Sequence, residues 1–190
     1  MFDSVFKDIK YELTRGNTVS KLILINCCIF LIVVLTRIII TSIFGGDSGV
    51  FNQVVHWLSI PTLFENIIYQ PWSFFTYSFI HLSLWQILYN MLLLYWFGAI
   101  AGDLIGDRRI FPIYVYGALI GGLFAVVCLN IIPLGHQAYI YGASASVMAI
   151  LFAAATLAPD YLMRLTLIGS VRIKYIVLTL ILIDFISIMF

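Results

Sequence analysis

The chain has 190 residues and a formal net charge of +1, so it carries no electrostatic footprint for nucleic acid or for an acidic substrate. Hydrophobic residues make up 63% of it, charged residues 10%, and the mean hydropathy is +1.07; these values exclude a soluble globular domain and define an integral membrane protein. Cys27 and Cys28 fall in one apolar run and Cys128 in another, with no metal-type spacing, so packing accounts for them.

Residues 1–17 have the pattern of an interfacial helix. Phe2, Val5, Phe6, Ile9 and Leu13 share one face, with Asp3, Lys7, Lys10 and Glu12 elsewhere. Gly16-Asn17-Thr18 breaks that pattern, giving an amphipathic N-terminal segment over 1–18 and one membrane domain over 19–190. The run 22–44 is too long for a signal-peptide core and lacks a small-residue cleavage site, so it reads as the first span. Arg37, near its far end, is expected to snorkel outwards. Residues 45–78 form a long loop in which Val54, Trp57, Leu58, Phe64 and Ile67 alternate with Asn52, His56, Glu65 and Asn66. Its aromatics, interrupted by Pro61 and Pro71, place it in the headgroup zone. Four further spans follow at about 79–101, 111–132, 141–157 and 175–190, joined by short connections into one all-α bundle.

The basic residues orient this bundle. Lys7, Lys10, Arg15 and Lys21 precede the first span, Arg108 and Arg109 lie between the second and third, and Arg164, Arg172 and Lys174 between the fourth and fifth. The other two loops contain no Lys or Arg, so the positive-inside rule puts the N-terminus in the cytoplasm and the 45–78 and 133–139 loops outside. Ser144 then sits at the outer end of the fourth span and His81 at the outer end of the second.

Polar residues within apolar helices carry whatever chemistry the chain has. Gln86 and Asn90 are four apart and share a helical face, where they either bond across helices or line a wet cavity. On a regular helix Asn90 would lie about 14 Å below His81. The hexapeptide Tyr141-Gly142-Ala143-Ser144-Ala145-Ser146 opens an uncharged segment, 147–157. Serine and alanine there commonly serve close helix packing. The alternative is a hydroxyl presented at a helix mouth, beside first-turn N–H groups that have no intrahelical partner and suit an oxyanion.

Taken in order, Pro71-Trp72, Phe75-Thr76-Tyr77, His81, Asn90-Met91, Trp96-Phe97-Gly98, Gly106, Arg109 and Gly142-Ala143-Ser144-Ala145 resemble a bacterial rhomboid intramembrane serine protease. The resemblance covers the five spans present and the loop before the second. It implies that Ser144 is the nucleophile, that Gly142 is the glycine two before it, and that Asn90 binds the oxyanion together with the Ser144 N–H. It implies a supporting, non-basic role for His81. Gln86 falls where the family commonly has a histidine; its amide still donates but cannot become cationic. Ala145 replaces a second glycine, and Gly102 stands where a glutamate usually precedes Asp103.

The family's general base is a histidine on a sixth helix, and His56, His81 and His136 do not correspond to it. The last span has sixteen residues, 175–190, against about 20 needed to cross, so a chain continuing into a sixth helix is expected. Asp184 on that span either bonds between helices or lines a cavity. Small residues on two spans point the same way: Gly142, Ser146, Ala149 and Ala153 on the fourth, Gly117 and Gly121 on the third, one of these faces awaiting a further helix. The resemblance implies a serine endopeptidase of a bacterial inner membrane, acting on membrane-anchored protein substrates within the lipid bilayer, with no metal or organic cofactor and no nucleic acid. The 190 residues alone would lack the base. A catalytically inactive rhomboid-like protein that binds transmembrane clients is the alternative; a transporter is disfavoured by the lack of an internal repeat.

Overall fold

The computed structural model describes residues 14, 16–45, 49–131, 139–165 and 169–189, of which 164–165 and 184–189 are described by backbone alone. The expected interfacial helix over 1–17 and His136 therefore lie outside the described residues, as does the side chain of Asp184.

Among the described residues, five helices make the bundle: α1 (Thr18–Phe44), α5 (Leu84–Ile105), α6 (Ile110–Ile131), α7 (Ser144–Leu157) and α8 (Ile173–Met189). The first three are long and apolar enough to cross a membrane, while α7 and α8 are shorter apolar helices. The loop after α1 is largely structured, with α2 (Val50–Leu58) and the single turns α3 (Phe64–Ile67) and α4 (Ser73–Thr76). β1 (Ile60–Pro61) pairs antiparallel with β2 (Tyr139–Ile140), Ile60 opposite Ile140, which ties this loop to the approach to α7. A second hairpin, β3 (Leu162–Leu165) with β4 (Gly169–Arg172), joins α7 to α8, and Asp160 at its base pairs with Lys174 at 2.7 Å and Arg172 at 3.2 Å.

α7 lies at the centre, packed on α5 and α6. Its apolar stripe, Val147, Ile150, Leu151 and Ala154, has the i, i+3, i+4, i+7 spacing of one helical face and is wholly buried. From α5, Leu94, Phe97 and Ala101 meet the same core. α1 is peripheral: Val19, Leu22 and Asn26 are buried near its start, whereas Leu31, Ile32, Leu35 and Ile38 are exposed, as suits a lipid-facing surface.

Lipid tails are as apolar as leucine, so helix association depends on close packing and interhelical hydrogen bonds. The α6–α7 seam shows the first. A Cβ on Gly117 would come 2.5 Å from the Ala149 Cβ and 3.0 Å from the Ser146 Cα; one on Gly121 would come 2.5 Å from the Ala145 Cβ. Ser146 and Ala149 of the α7 face thus meet the α6 glycines, so at these two positions it is already partnered by α6 and does not await a further helix. The ends of α1 and α6 show the second. Asn17 accepts from Ser20 N at 2.8 Å, and Asp107, in the turn before α6, accepts from both Thr18 N (2.7 Å) and Thr18 Oγ1 (2.6 Å). Among the described residues, Asp107 is thus the acid that ties this turn to α1. Arg37 is exposed as expected, and its guanidinium lies over the Phe51 ring at 5.7 Å, linking α1 to α2.

Candidate active site

The second span begins later than its hydropathy predicts. Tyr77–Phe79 is a 3-10 turn, residues 80–83 are non-helical, and Ser83 has the extended backbone of an N-cap (φ −123°, ψ 139°) before α5 starts at Leu84. His81 is thus not on the helix of Asn90. The non-helical approach folds back along α5, and Asn90 Nδ2 lies 3.3 Å from His81 Nε2 instead of the 14 Å a regular helix would impose. Apolar Phe79 and Ile80 gave the run its helical look, while the chain uses them to turn.

His81 is wholly buried, and its surroundings fix its protonation. Nδ1 faces the Phe79 carbonyl at 3.3 Å, and a carbonyl only accepts, so Nδ1 carries the hydrogen. Nε2 faces the Ala143 N–H at 3.4 Å and the Asn90 amide at 3.3 Å, both donors, so it carries the lone pair. Burial of this ring, which lies outside the spanning helix, also pushes its pKa below the ordinary value of 6.5. His81 is a neutral acceptor at the joint between the approach to α5 and the approach to α7, with both nitrogens engaged.

That second approach is held just as closely. Gly142 N donates to Tyr77 O at 2.9 Å, and Gly142 takes φ +117°, a conformation that favours glycine. Its missing side chain is also required by Gln86: a Cβ there would stand 2.5 Å from Gln86 Nε2 and 3.9 Å from Ser144 Oγ. The Gln86 amide and the Ser144 hydroxyl therefore flank the same glycine. Gln86 Nε2 donates to Tyr141 O at 3.3 Å and its Oε1 accepts from Leu82 N at 3.3 Å, so Gln86 also braces the two approaches together.

Ser144 is the first residue of α7 and is exposed. Intrahelical bonding begins with Val147 N to Ala143 O at 2.9 Å, which leaves the N–H groups of residues 144–146 without an intrahelical acceptor. Those before them are spent, Gly142 N on Tyr77 and Ala143 N on His81. Any oxyanion at the serine would find the Ser144 N–H and its successors, not the glycine. α7 has 14 residues and rises about 21 Å, less than a hydrocarbon slab of about 30 Å, so at least one of its ends lies within membrane depth. A hydroxyl placed there needs polar neighbours; Ser144 is itself exposed, and the Gln86 amide stands across Gly142 from it.

The structure thus brings Ser144, Gly142, Gln86, Asn90 and His81 into one contiguous cluster. The other described histidine, His56, is stacked on Tyr139 (centroids 3.7 Å apart, 5° between planes) beside a cavity of about 570 Å³ lined by α2, Gln70 and Tyr139. Sequence reasoning passed over Asn26, Ser78 and Tyr114. Asn26 Nδ2 approaches Tyr114 Oη at 3.3 Å, and Tyr114 Oη donates to Ser78 O at 3.0 Å. The signal was available, since Asn26 and Tyr114 are polar groups in the middle of apolar runs.

A mostly helical membrane bundle with a serine at the mouth of a short central helix, its approach hung on a buried histidine, defines the class. The family comparison makes it specific: the Rhomboid domain model matches residues 69–190, and the chain belongs to the rhomboid family. Among individual proteins it is similar to the rhomboid protease GlpG of Salmonella choleraesuis (strain SC-B67), 28% identical over 109 residues. The rhomboid proteases GlpG of Salmonella paratyphi A and Salmonella typhi are each 27% identical over the same length. These alignments cover 57% of this chain and 34% of each relative, so the chain spans about a third of the length of the curated relatives it matches.

Proposed function

We propose that this chain is the core of an intramembrane serine endopeptidase that cleaves membrane-anchored protein substrates. The observation that carries the reading is the placement of Ser144 at the first position of α7, with the Gln86 amide across Gly142 and free first-turn N–H groups beneath it. Ser144 Oγ attacks the scissile carbonyl, and the oxyanion is received by the Ser144 N–H together with amide hydrogens of Gln86 and Asn90. Each of these side chains has one N–H engaged, on Tyr141 O and on His81 Nε2 respectively, and a second to give. Collapse of the tetrahedral adduct breaks the scissile C–N bond, the amine leaves carrying a proton, and water then hydrolyses the acyl-enzyme to a carboxylate and the free Ser144 hydroxyl. His81 cannot take the serine proton, because its lone pair is held by Ala143 and Asn90. We assign the base to a histidine outside these 190 residues, as the family's sixth helix would supply. The basic-residue distribution supports a cytoplasmic N-terminus and an outward-facing site, and the likeness to bacterial relatives supports an inner-membrane location.

A catalytically inactive, client-binding rhomboid is the second reading. It is favoured by one observation: Gln86 is braced at both ends and is uncharged, which weakens it as an oxyanion donor. Reconstituting the full-length gene product and its Ser144→Ala variant in liposomes with a labelled single-span substrate separates the two. The protease reading expects cleavage by wild type and none by Ser144→Ala. Equal cutting by both, or no cutting across a panel of helix-destabilised substrates, would favour client binding.

A further inference from the structure

Tyr114 is wholly buried within α6, and its hydroxyl is the junction of three elements. It donates to Ser78 O at 3.0 Å, in the turn before His81, and receives Asn26 Nδ2 of α1 at 3.3 Å. From α7, the buried Ser146 hydroxyl lies beside it. A second buried tyrosine works from the opposite side: Tyr77 Oη donates to Ala118 O of α6 at 2.7 Å, while its carbonyl receives Gly142 N. The segment 77–81 is therefore fastened to α6 through two tyrosines. That same segment suspends both residues before the serine, Gly142 from Tyr77 O and Ala143 from His81 Nε2.

Packing does not require the Tyr114 hydroxyl. The ring already packs against Phe79, with centroids 5.6 Å apart, and a phenylalanine would fill the same space. A hydroxyl and an asparagine amide at membrane depth are costly to keep, and what they add here is direction. We infer that Tyr114 is a positioning residue for Ser144. Through Ser78 it fixes the segment on which the approach to α7 hangs, and through Asn26 it makes α1 part of that fixation. The inference rests on the reading of Ser144 as nucleophile.

Tyr114→Phe keeps the ring and deletes the junction. In the full-length protein, with a single-span substrate in liposomes, kcat should fall by about 10- to 100-fold with KM within about twofold, the scale on which small misplacements of reacting groups act. Asn26→Leu alone should act in the same direction, and in the Tyr114→Phe background it should add less than its own separate effect, because both act through one junction. A second arm does not need cleavage. In a background with Cys27, Cys28 and Cys128 replaced by alanine, Ser144→Cys is alkylated with N-ethylmaleimide, with Tyr69→Cys as an exposed reference. Tyr114→Phe should change the rate at residue 144 by about threefold or more and leave residue 69 unchanged, as the order-of-magnitude response of a repositioned group.

An unchanged kcat with an unchanged alkylation rate overturns the inference, as does a kcat loss that only tracks the folded fraction in a thermal melt. If wild type and Ser144→Ala both fail to cut, the protease reading falls while the alkylation arm still decides for or against positioning. If Tyr114→Phe does not fold, Asn26→Leu is measured alone, and an unchanged rate at residue 144 counts against the inference.

Discussion

The α6–α7 seam and the junction around His81 hold the same serine by opposite means. At the seam, Gly117 and Gly121 meet Ala145, Ser146 and Ala149 with almost no side chain between the two backbones. At the junction, Asn26, Ser78, His81, Asn90 and Tyr114 are all buried, with Tyr114 bonded to Asn26 and to the Ser78 carbonyl and Asn90 bonded to His81. Hydrophobic burial drives little association between helices in lipid, so contact and directed bonds carry the load separately. The seam sets how near α7 stands, and the junction sets how its first turn is aimed. Size changes should therefore break the first, and donor or acceptor changes the second.

The largest effect is expected at the junction. Asn90→Ala removes an oxyanion amide and leaves His81 Nε2 with Ala143 N as its one remaining partner. Under the proposed mechanism kcat of the full-length enzyme should drop by about 10²–10³, or roughly 2.7–4 kcal/mol of transition-state stabilisation. Gln86→Ala should lose less, since an uncharged amide is the weaker of the donors the family uses at that position. Gln86→His should match or exceed wild type. If Gln86→Ala proves the more damaging of the two alanine variants, the oxyanion roles have been assigned the wrong way round.

Next is the seam. Gly117→Val places a branched side chain where even a Cβ comes 2.5 Å from Ala149, and overpacking of this kind destabilises by about 1–3 kcal/mol. Gly121→Ala meets only the Ala145 Cβ at that distance, so Ala145→Gly should rescue it while leaving Gly117→Val unrescued. Thermal unfolding in detergent reads both. Rescue of Gly117→Val by Ala145→Gly would mean that the two glycines do not contact separate residues.

This contrast also separates what the chain announces from what it conceals. The apolar runs, the helix opening at Ser144 and the ordered series from Pro71 to Ala145 are local patterns, and local patterns survive in one dimension. The glycines of the seam were visible too, but nothing in their spacing says which helix they face. The break at residues 80–83 was hidden because Phe79, Ile80 and Leu82 are as apolar as the helix that follows; only Ser83 marked the start of α5. The Asn26–Tyr114 contact joins residues 88 apart, and Thr18–Asp107 residues 89 apart, beyond any periodicity. Two-residue strands such as β1 and β2 are too short to show alternation at all.

The junction should also be the pH-sensitive region of the two. Protonating His81 would turn Nε2 from an acceptor into a donor facing two donors, Ala143 N–H and the Asn90 amide. Burial lowers its pKa below 6.5 in the folded protein, so the unfolded chain binds the proton more readily. The resulting stability is fully present above about pH 6.5 and is lost as pH falls through the window from that value down to the folded pKa. Melting temperatures of wild type should fall over that range relative to His81→Asn, which has no proton to take up. Parallel curves would show that the ring is not held as an acceptor.

The smallest effect is expected where neither seam nor junction reaches, at the cytoplasmic-side turn of the proposed topology. Asp107 receives both Thr18 N and Thr18 Oγ1, so it satisfies a first-turn donor of α1 from another helix, while Asn17 satisfies a second through Ser20 N. Because Asp107 is exposed, water can replace much of what it gives, and Asp107→Ala should cost about 1 kcal/mol, the usual scale for losing a cap. Asp103→Ala, four residues earlier on α5, should cost less, since Asp103 is exposed and the bonds that cap α1 come from Asp107. Unfolding midpoints of the two variants decide the matter. The alkylation rate of Ser144→Cys should be the same in both, because Asp107 anchors α1 near Thr18, two turns before Asn26 enters the junction. A changed rate would mean that the junction is adjusted from the far end of α1, and that the two regions are not separable.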